Sequence, residues 1–179
     1  IESPTPAIGK AIDFDPTRCD VYYRGALSPD FYAWIFPHGP TTSVGTGSFQ
    51  QGFTLKKAVD DLRQQTGLDA TRTIRREGAP IPLRPLSRWD DGRNVVLAGD
   101  ASGVVAPASG EGIFYAMTGG RFAADAVTAS LTTRNAKHLL QARKHFMSEH
   151  GQVFRVLRMM QHYWYNDEGR RERFVAICR

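Results

Sequence analysis

The residues best suited to chemistry lie in one run, Leu97-Ala98-Gly99-Asp100-Ala101-Ser102-Gly103-Val104-Val105-Ala106-Pro107-Ala108-Ser109-Gly110-Glu111-Gly112-Ile113. A carboxylate at the C-terminal tip of an apolar strand stands where open α/β sheets bind ligands, and it accepts hydrogen bonds from a polyol. Asp100 has that position, following the apolar residues 94–98. Gly103, Gly110 and Gly112 carry no Cβ, so their backbone admits a flat ligand at close range. A helix expected to begin near Gly112 turns its unpaired N–H groups and the positive end of its dipole toward the same place. An acceptor that gains negative charge is stabilised there; a reduced flavin pyrimidine is one such group and a phosphate another.

The neighbouring elements must hold this run in place. Residues 94–98 read as a buried strand of a parallel sheet, and residues 112–131 as a helix. On that helix Ala116, Gly119, Gly120, Ala123 and Ala124 form a small-residue stripe suited to close packing. Upstream, residues 19–24, 31–36 and 42–48 are aromatic or β-branched runs separated by turns, which predicts an antiparallel meander. Phe31, Ala33 and Ile35 alternate with Tyr32, Trp34 and Phe36, so both faces of the sheet are apolar and each is expected to be covered. Leu55, Ala58, Val59 and Leu62 recur at helical spacing before Gly67, which predicts a helix over 54–66. Residues 71–77 are expected to return as a strand, and Pro80, Pro82 and Pro85 to keep the next segment extended. Residues 134–165 carry a helical pattern that Gly151 is expected to bend or divide, and Arg170–Arg179 reads as a further short helix.

A Gly-Asp pair after a strand often serves as a plain turn, but the full string G-D-x-x-G-x-x-x-P-x-x-G-E-G-I is far longer. It resembles the second flavin-contacting motif of the p-hydroxybenzoate hydroxylase fold, and within that fold the geranylgeranyl reductase family. Tyr23, the run Ser28-Pro29-Asp30-Phe31-Tyr32-Ala33-Trp34-Ile35-Phe36-Pro37, and Val44-Gly45-Thr46-Gly47 are similar to the Y-x-W-x-F-P and V-G-x-G pattern of those reductases. Ile81-Pro82-Leu83-Arg84-Pro85-Leu86, the tail Met160-Gln161-His162-Tyr163-Trp164-Tyr165-Asn166-Asp167 and Arg170-Arg171-Glu172-Arg173-Phe174 look like the chlorophyll-pathway branch rather than the archaeal lipid reductases.

The resemblance implies an α/β (α+β) fold, the C-terminal part of an FAD-binding p-hydroxybenzoate hydroxylase-like architecture. It carries an antiparallel substrate-side sheet region with one helix (1–86), a piece of the FAD-binding domain (87–133) and a helical C-terminal region (134–179). It makes Asp100 the ligand of the ribityl hydroxyls, sets Pro107, Gly110, Glu111, Gly112 and Ile113 beside the flavin pyrimidine, and includes Gly99 and Gly103 in the cofactor loop. Tyr23, Tyr32, Trp34, Phe36 and Pro37 become the substrate pocket, since aromatic rings offer a polyprenyl tail large apolar area. The implied reaction is saturation of C=C bonds in the isoprenoid tail, dependent on FAD and NADPH. Its implied substrate is geranylgeranylated chlorophyll or bacteriochlorophyll, or geranylgeranyl diphosphate. No catalytic residue is assigned; Tyr32, Tyr115 and Glu111 are candidate proton donors. A flavin-dependent aromatic hydroxylase of the same fold, and a non-catalytic lipid- or membrane-binding module, are the alternatives.

The strand, G-x-G-x-x-G turn and helix that hold the ADP half of FAD in this family have no counterpart here, nor has the motif that contacts both FAD and NADPH. With Ile1 at the start, the sequence reads as a C-terminal fragment of something longer. Its 179 residues, 41% hydrophobic and 23% charged, fit a folded domain. Residues 134–179 hold ten Lys and Arg against four Asp and Glu, and this basicity, with the Met and aromatic residues of 153–173, suggests peripheral contact with an anionic membrane rather than nucleic acid. The expected location is cytoplasmic, peripheral to a photosynthetic membrane. Cys19 and Cys178 form no metal-like spacing and are expected as free thiols. The five histidines lack H-E-x-x-H, so no metal site is expected, and hydrolase elbows and Walker loops are missing.

Overall fold

The computed structural model describes residues 1–6, 14–165 and 167–177. The chain forms two compact units, one of Ile1–Gly78 with His162–Arg179 and one of Ala79–Gln161.

In the first unit, alternating burial along strand β3 (Ala33–His38) puts Ala33 and Ile35 in the core and leaves Trp34 and Phe36 half-buried on the other face. β3 pairs antiparallel with β4 (Thr41–Thr46) and β2 (Asp20–Tyr22), which gives the expected meander with ends displaced by a few residues. A fourth strand, β1 (Glu2–Pro4), pairs with β4, so the sheet order is β1-β4-β3-β2. Pro37 lies in β3 beyond the last residue paired with β2, where its missing N–H forfeits no bond on that side.

Helix α1 (Leu55–Thr66) follows the expected periodicity, and Gly67 ends it in the left-handed region at φ 73°. The amides of Gly67 and Leu68 donate to the carbonyls of Gln64 and Arg63, and the Thr66 hydroxyl donates to the Leu62 carbonyl at 2.9 Å, which caps the last turn. Ala58, Val59 and Leu62 of α1 are buried in the unit whose core also takes Ala33, Ile35, Val44 and Leu27. The first apolar position, Leu55, stays exposed. The expectation that both sheet faces are covered fails on the aromatic side, where the rings are only half-buried.

Residues 71–77 form no strand. The buried Arg63 guanidinium donates to the Thr71 carbonyl at 2.7 Å, the Leu68 carbonyl at 3.1 Å and the Thr73 hydroxyl at 3.2 Å, which folds the chain around its side chain. Only one bridge, Glu2 with Arg75, remains from a ladder.

The second unit is built on helix α2 (Ile113–Thr133), a short 3-10 turn (Ala136–Leu139) and helix α3 (Leu140–Tyr165), whose last turn enters the first unit. Trp89, Val104, Phe122, Ala126, Ala142 and Phe146 form its core. α3 runs unbroken through Gly151, contrary to expectation. One helical glycine costs about 1 kcal/mol, and buried Phe146 and Phe154 on either side of it outweigh that. α2 has two unlike faces: Gly119, Phe122, Ala123 and Ala126 are buried, whereas Ile113, Met117 and Leu131 are 77%, 73% and 74% exposed. Helix α4 (Glu168–Ile177) returns to the first unit and begins two residues earlier than expected; Cys178 and Arg179 lie outside the described residues, and Cys19 is an exposed free thiol.

Phe146 is fully buried against Trp89 and Phe154, with ring centroids 5.2 and 5.7 Å away. Phe146→Ala is therefore expected to cost about 3–5 kcal/mol, measured as a lowered midpoint in urea unfolding.

Candidate functional site

Residues 94–98 approach the glycine-rich run without forming the expected strand. Val95 is 50% exposed and Val96 makes a single bridge, to Asp90. Leu97 donates to the Trp89 carbonyl at 2.6 Å, so the segment folds back on its own turn. That turn is held by the Asp91 carboxylate, which accepts the amides of Arg93, Asn94 and Val95 at 2.9–3.0 Å. Those backbone hydrogen bonds hold the Asp91 pKa below the usual carboxylate range. A lone β-run needs a neighbouring strand to complete its ladder, and the described residues of this unit offer none.

A 3-10 turn (Gly99–Ser102) then carries Asp100 to the surface. The Ser102 hydroxyl donates to the Gly99 carbonyl at 2.7 Å, and the Gly103 amide to the Asp100 carbonyl at 2.9 Å. Gly103 sits at φ 81°, and a Cβ there would stand 2.1 Å from the Arg84 carbonyl oxygen. Glycine is thus required twice over, by conformation and by space. The neighbouring amide of Leu86 donates to the Ser102 carbonyl at 3.0 Å, so the Pro-rich segment and the Asp100 loop form one junction.

Val104, Val105, Ala106 and Pro107 are buried, after which Gly110 turns at φ 68°. The Gly110 amide donates to Ala106, and Ala106 in turn to Glu111, closing the loop on itself. A Cβ on Gly112 would meet Asp100 Oδ1 at 3.3 Å, and one on Gly99 would meet Ala116 Cβ at the same distance. The fold thus gathers Gly99, Asp100, Gly112 and the start of α2 around one small surface. Asp100 is exposed, and no described residue donates to its carboxylate. Pro107 has no comparable exposure, because its ring is fully buried.

The helix start differs from expectation in one respect. The Glu111 carboxylate accepts the Phe114 amide at 2.7 Å, so part of the positive helix end is already answered by this chain's own charge. Burial, and then the Glu111 charge, raise the Tyr115 hydroxyl above the usual phenol pKa. Behind the first turn, the His150 ring packs on Phe114, Tyr115 and Phe146 at 5.0–5.7 Å.

In the first unit, Trp34 lies opposite Gly45, and a Cβ on Gly45 would fall 2.2 Å from the indole. Gly45 is therefore what lets the ring lie flat across β4. From Tyr32, just before β3, the rings of Trp34 and Phe36 follow along the strand at centroid spacings of 6.1 Å, and Tyr23 meets Tyr32 at 5.8 Å. Burial raises the Tyr32 pKa, with the Tyr23 hydroxyl as the smaller cause. Two residues of the tail join this cluster although the pocket reading omitted them: Tyr165 and Phe174 stand 5.6 and 5.3 Å from Tyr23. Their signal was the aromatic density of Tyr163–Tyr165 followed by Phe174 within a basic helix.

No family model matches the chain. A geranylgeranyl diphosphate reductase of Rhodobacter capsulatus is 56% identical over 99% of the chain. The chain is a homologue of the geranylgeranyl reductases. A chloroplastic geranylgeranyl diphosphate reductase of Oryza sativa is 34% identical over 90% of it. This homologue spans 44% of the Rhodobacter protein and 36% of the rice one, less than half of either length. In fold it resembles a geranylgeranyl bacteriochlorophyll reductase-like protein of Thermoplasma acidophilum, with a TM-score of 0.72, 22% identity, and coverage of 84% of this chain and 40% of that one. The mixed helix and antiparallel-sheet architecture expected from the sequence is thus that of a reductase-like relative.

Gly103→Ala is expected to destabilise the reductase homologue by at least about 1–3 kcal/mol from its backbone conformation alone, with the Arg84 contact adding to that. Thermal unfolding measures the loss, and Gly78→Ala, which meets open space, serves as the neutral comparison.

Proposed function

We propose that this chain is part of a geranylgeranyl reductase that saturates C=C bonds in the isoprenoid tail of geranylgeranylated chlorophyll or bacteriochlorophyll, or of geranylgeranyl diphosphate, using FAD and NADPH. The observation that carries the reading is Asp100: an exposed carboxylate to which no described residue donates, beside a glycine-lined backbone and a helix start. The residues fit a flavin, since Asp100 is free to accept ribityl hydroxyls. Gly112 leaves the space that a Cβ beside that carboxylate would fill. Exposed Ile113 and the backbone of Gly110–Gly112 complete the edge meant for the pyrimidine ring. Bound flavin supplies hydride delivery.

The chain's own residues do the rest. Asp100 orients the cofactor through its sugar-like chain, and Gly99 and Gly103 keep the loop tight against α2 and residues 84–86. The aromatic face of β3, with Tyr23 and Pro37, offers the apolar area that holds a prenyl chain and excludes water. Each double bond saturated needs a hydride on one carbon and a proton on its neighbour. Tyr32, Tyr115 and Glu111 are the candidate donors, and burial raises both hydroxyls above the usual phenol pKa.

Peripheral membrane contact suits a lipid-borne substrate. Among the described residues no helix is long and apolar enough to cross a membrane. Val153, Val156 and Met159 recur on one side of α3 and are exposed, with Arg155 and Arg158 on the same helix. Such a helix lies in an anionic interface through its apolar stripe and basic flank.

In the intact protein, Asp100→Ala is expected to leave thermal stability near wild type, because the side chain has no partner, while removing the visible absorbance of bound flavin and the saturated product. Flavin retained at wild-type occupancy would sink the cofactor assignment. For the membrane reading, co-sedimentation with anionic but not neutral liposomes at moderate salt is expected, and equal partition to both removes the charge argument.

A further inference from the structure

Arg171 is 4% exposed, and it is one of only two arginines buried among the described residues. Its guanidinium donates to three backbone carbonyls: Tyr165 at the end of α3, through Nε at 2.8 Å; Ser28, through Nη1 at 3.3 Å; and Pro29, through Nη2. Among the described residues its one carboxylate partner, Glu168, is 3.5 Å away and mostly exposed. Burying a charge against neutral acceptors is costly, and a planar fork that joins several carbonyls is something neither Lys nor Met reproduces. The approach is tight on the other side too: a Cβ on Gly25 would come within 3.0 Å of Nη1.

What Arg171 ties down leads to the aromatic strand. The Ser28 hydroxyl donates to the Gly47 carbonyl at 2.6 Å and accepts the Phe31 amide at 3.0 Å, which sets where β3 begins. On the α4 side, Phe174 follows Arg171 by three residues. The rings then continue from one element to the next: Phe36, Trp34, Tyr32, Tyr23, Phe174, Trp164, with each centroid 5.3–6.1 Å from the one before. All six are half-buried and lie within the first unit.

We propose that α4 forms a second part of the prenyl-binding surface, that Phe174 contacts the isoprenoid chain, and that Arg171 is the positioning residue that holds α4 and the Ser28 turn in register. The proposal rests on the reductase reading given above. An uncharged, flexible, rod-like hydrocarbon gains most from a continuous row of ring faces. Such a row needs its two supporting segments fixed relative to each other, because separation at any step divides it.

The test uses the intact protein with geranylgeranyl diphosphate as probe. Phe174→Ala should raise the KM of tail saturation about tenfold, with kcat, bound flavin and NADPH-driven flavin reduction within about twofold of wild type. Phe174→Leu should recover most of the loss. Arg171→Met should reproduce the KM defect with the flavin reactions intact, and Gly25→Ala a milder form of it. Direct binding of the same probe, followed by quenching of tryptophan fluorescence, should weaken in parallel. Unchanged probe binding in Phe174→Ala overturns the proposal whether or not the protein reduces prenyl chains. Loss of flavin reduction together with KM in Arg171→Met overturns the positioning role. Absence of any reductase activity in the unsubstituted protein counts against the parent reading alone, because the binding measurement still decides the α4 surface.

Discussion

The carbonyl oxygen of Arg84 occupies the place that a side chain at residue 103 would take, and much of the second unit depends on that exclusion. It brings the Pro-rich segment against the 3-10 turn, lets Leu86 bond Ser102, and so fixes the direction in which Asp100 leaves the surface. From there the chain descends into a buried stretch, returns at Gly110 and enters α2 with Gly112 beside the same carboxylate. Two motifs separated in sequence, Pro82–Leu86 and Gly99–Gly112, are in this way one structural element. A ligand that meets Asp100 therefore also senses the segment that carries Arg84.

The first unit depends on a comparable exclusion at smaller scale. Gly45 gives the Trp34 indole room on β4, and the Trp34 ring continues the row set by Tyr32 and Phe36. The sheet's other face is anchored conventionally, with Ala33, Ile35 and Val44 in the same core as residues of α1. One face thus stabilises the fold, and the other carries a row of half-buried rings.

Local signals made α1 and α2 legible in the sequence, since their apolar spacing and the glycine after α1 act within a few residues. The β-meander was legible as well, with ends shifted because pairing, not composition, decides where a strand stops. What remained hidden was non-local. β1 is a short polar segment with a proline, and it is a strand only because β4 lies beside it. Residues 94–98 have strand composition but, among the described residues, a single bridge instead of a neighbouring strand, and in residues 71–77 the Thr71 carbonyl and the Thr73 hydroxyl accept from Arg63. At the candidate site, the long glycine-acid string singled out Asp100 and Gly112, which the fold brings together, whereas the reason for Gly103 lay in Arg84, far outside the string. Arg171 resembled its neighbours Arg170 and Arg173 in a basic run, and nothing in composition distinguished the one that turns inward.

Glu111 has a consequence for selectivity. A bare helix end is a general receptor for anions, and phosphate is what it most commonly attracts. Here a carboxylate already rests on the first turn through the Phe114 amide, so a phosphate arriving at that position meets a like charge as well as a dipole. A neutral ring that gathers charge only upon reduction incurs far less of that repulsion on arrival. The start of α2 therefore offers an arriving phosphate a weaker attraction than a bare helix end would.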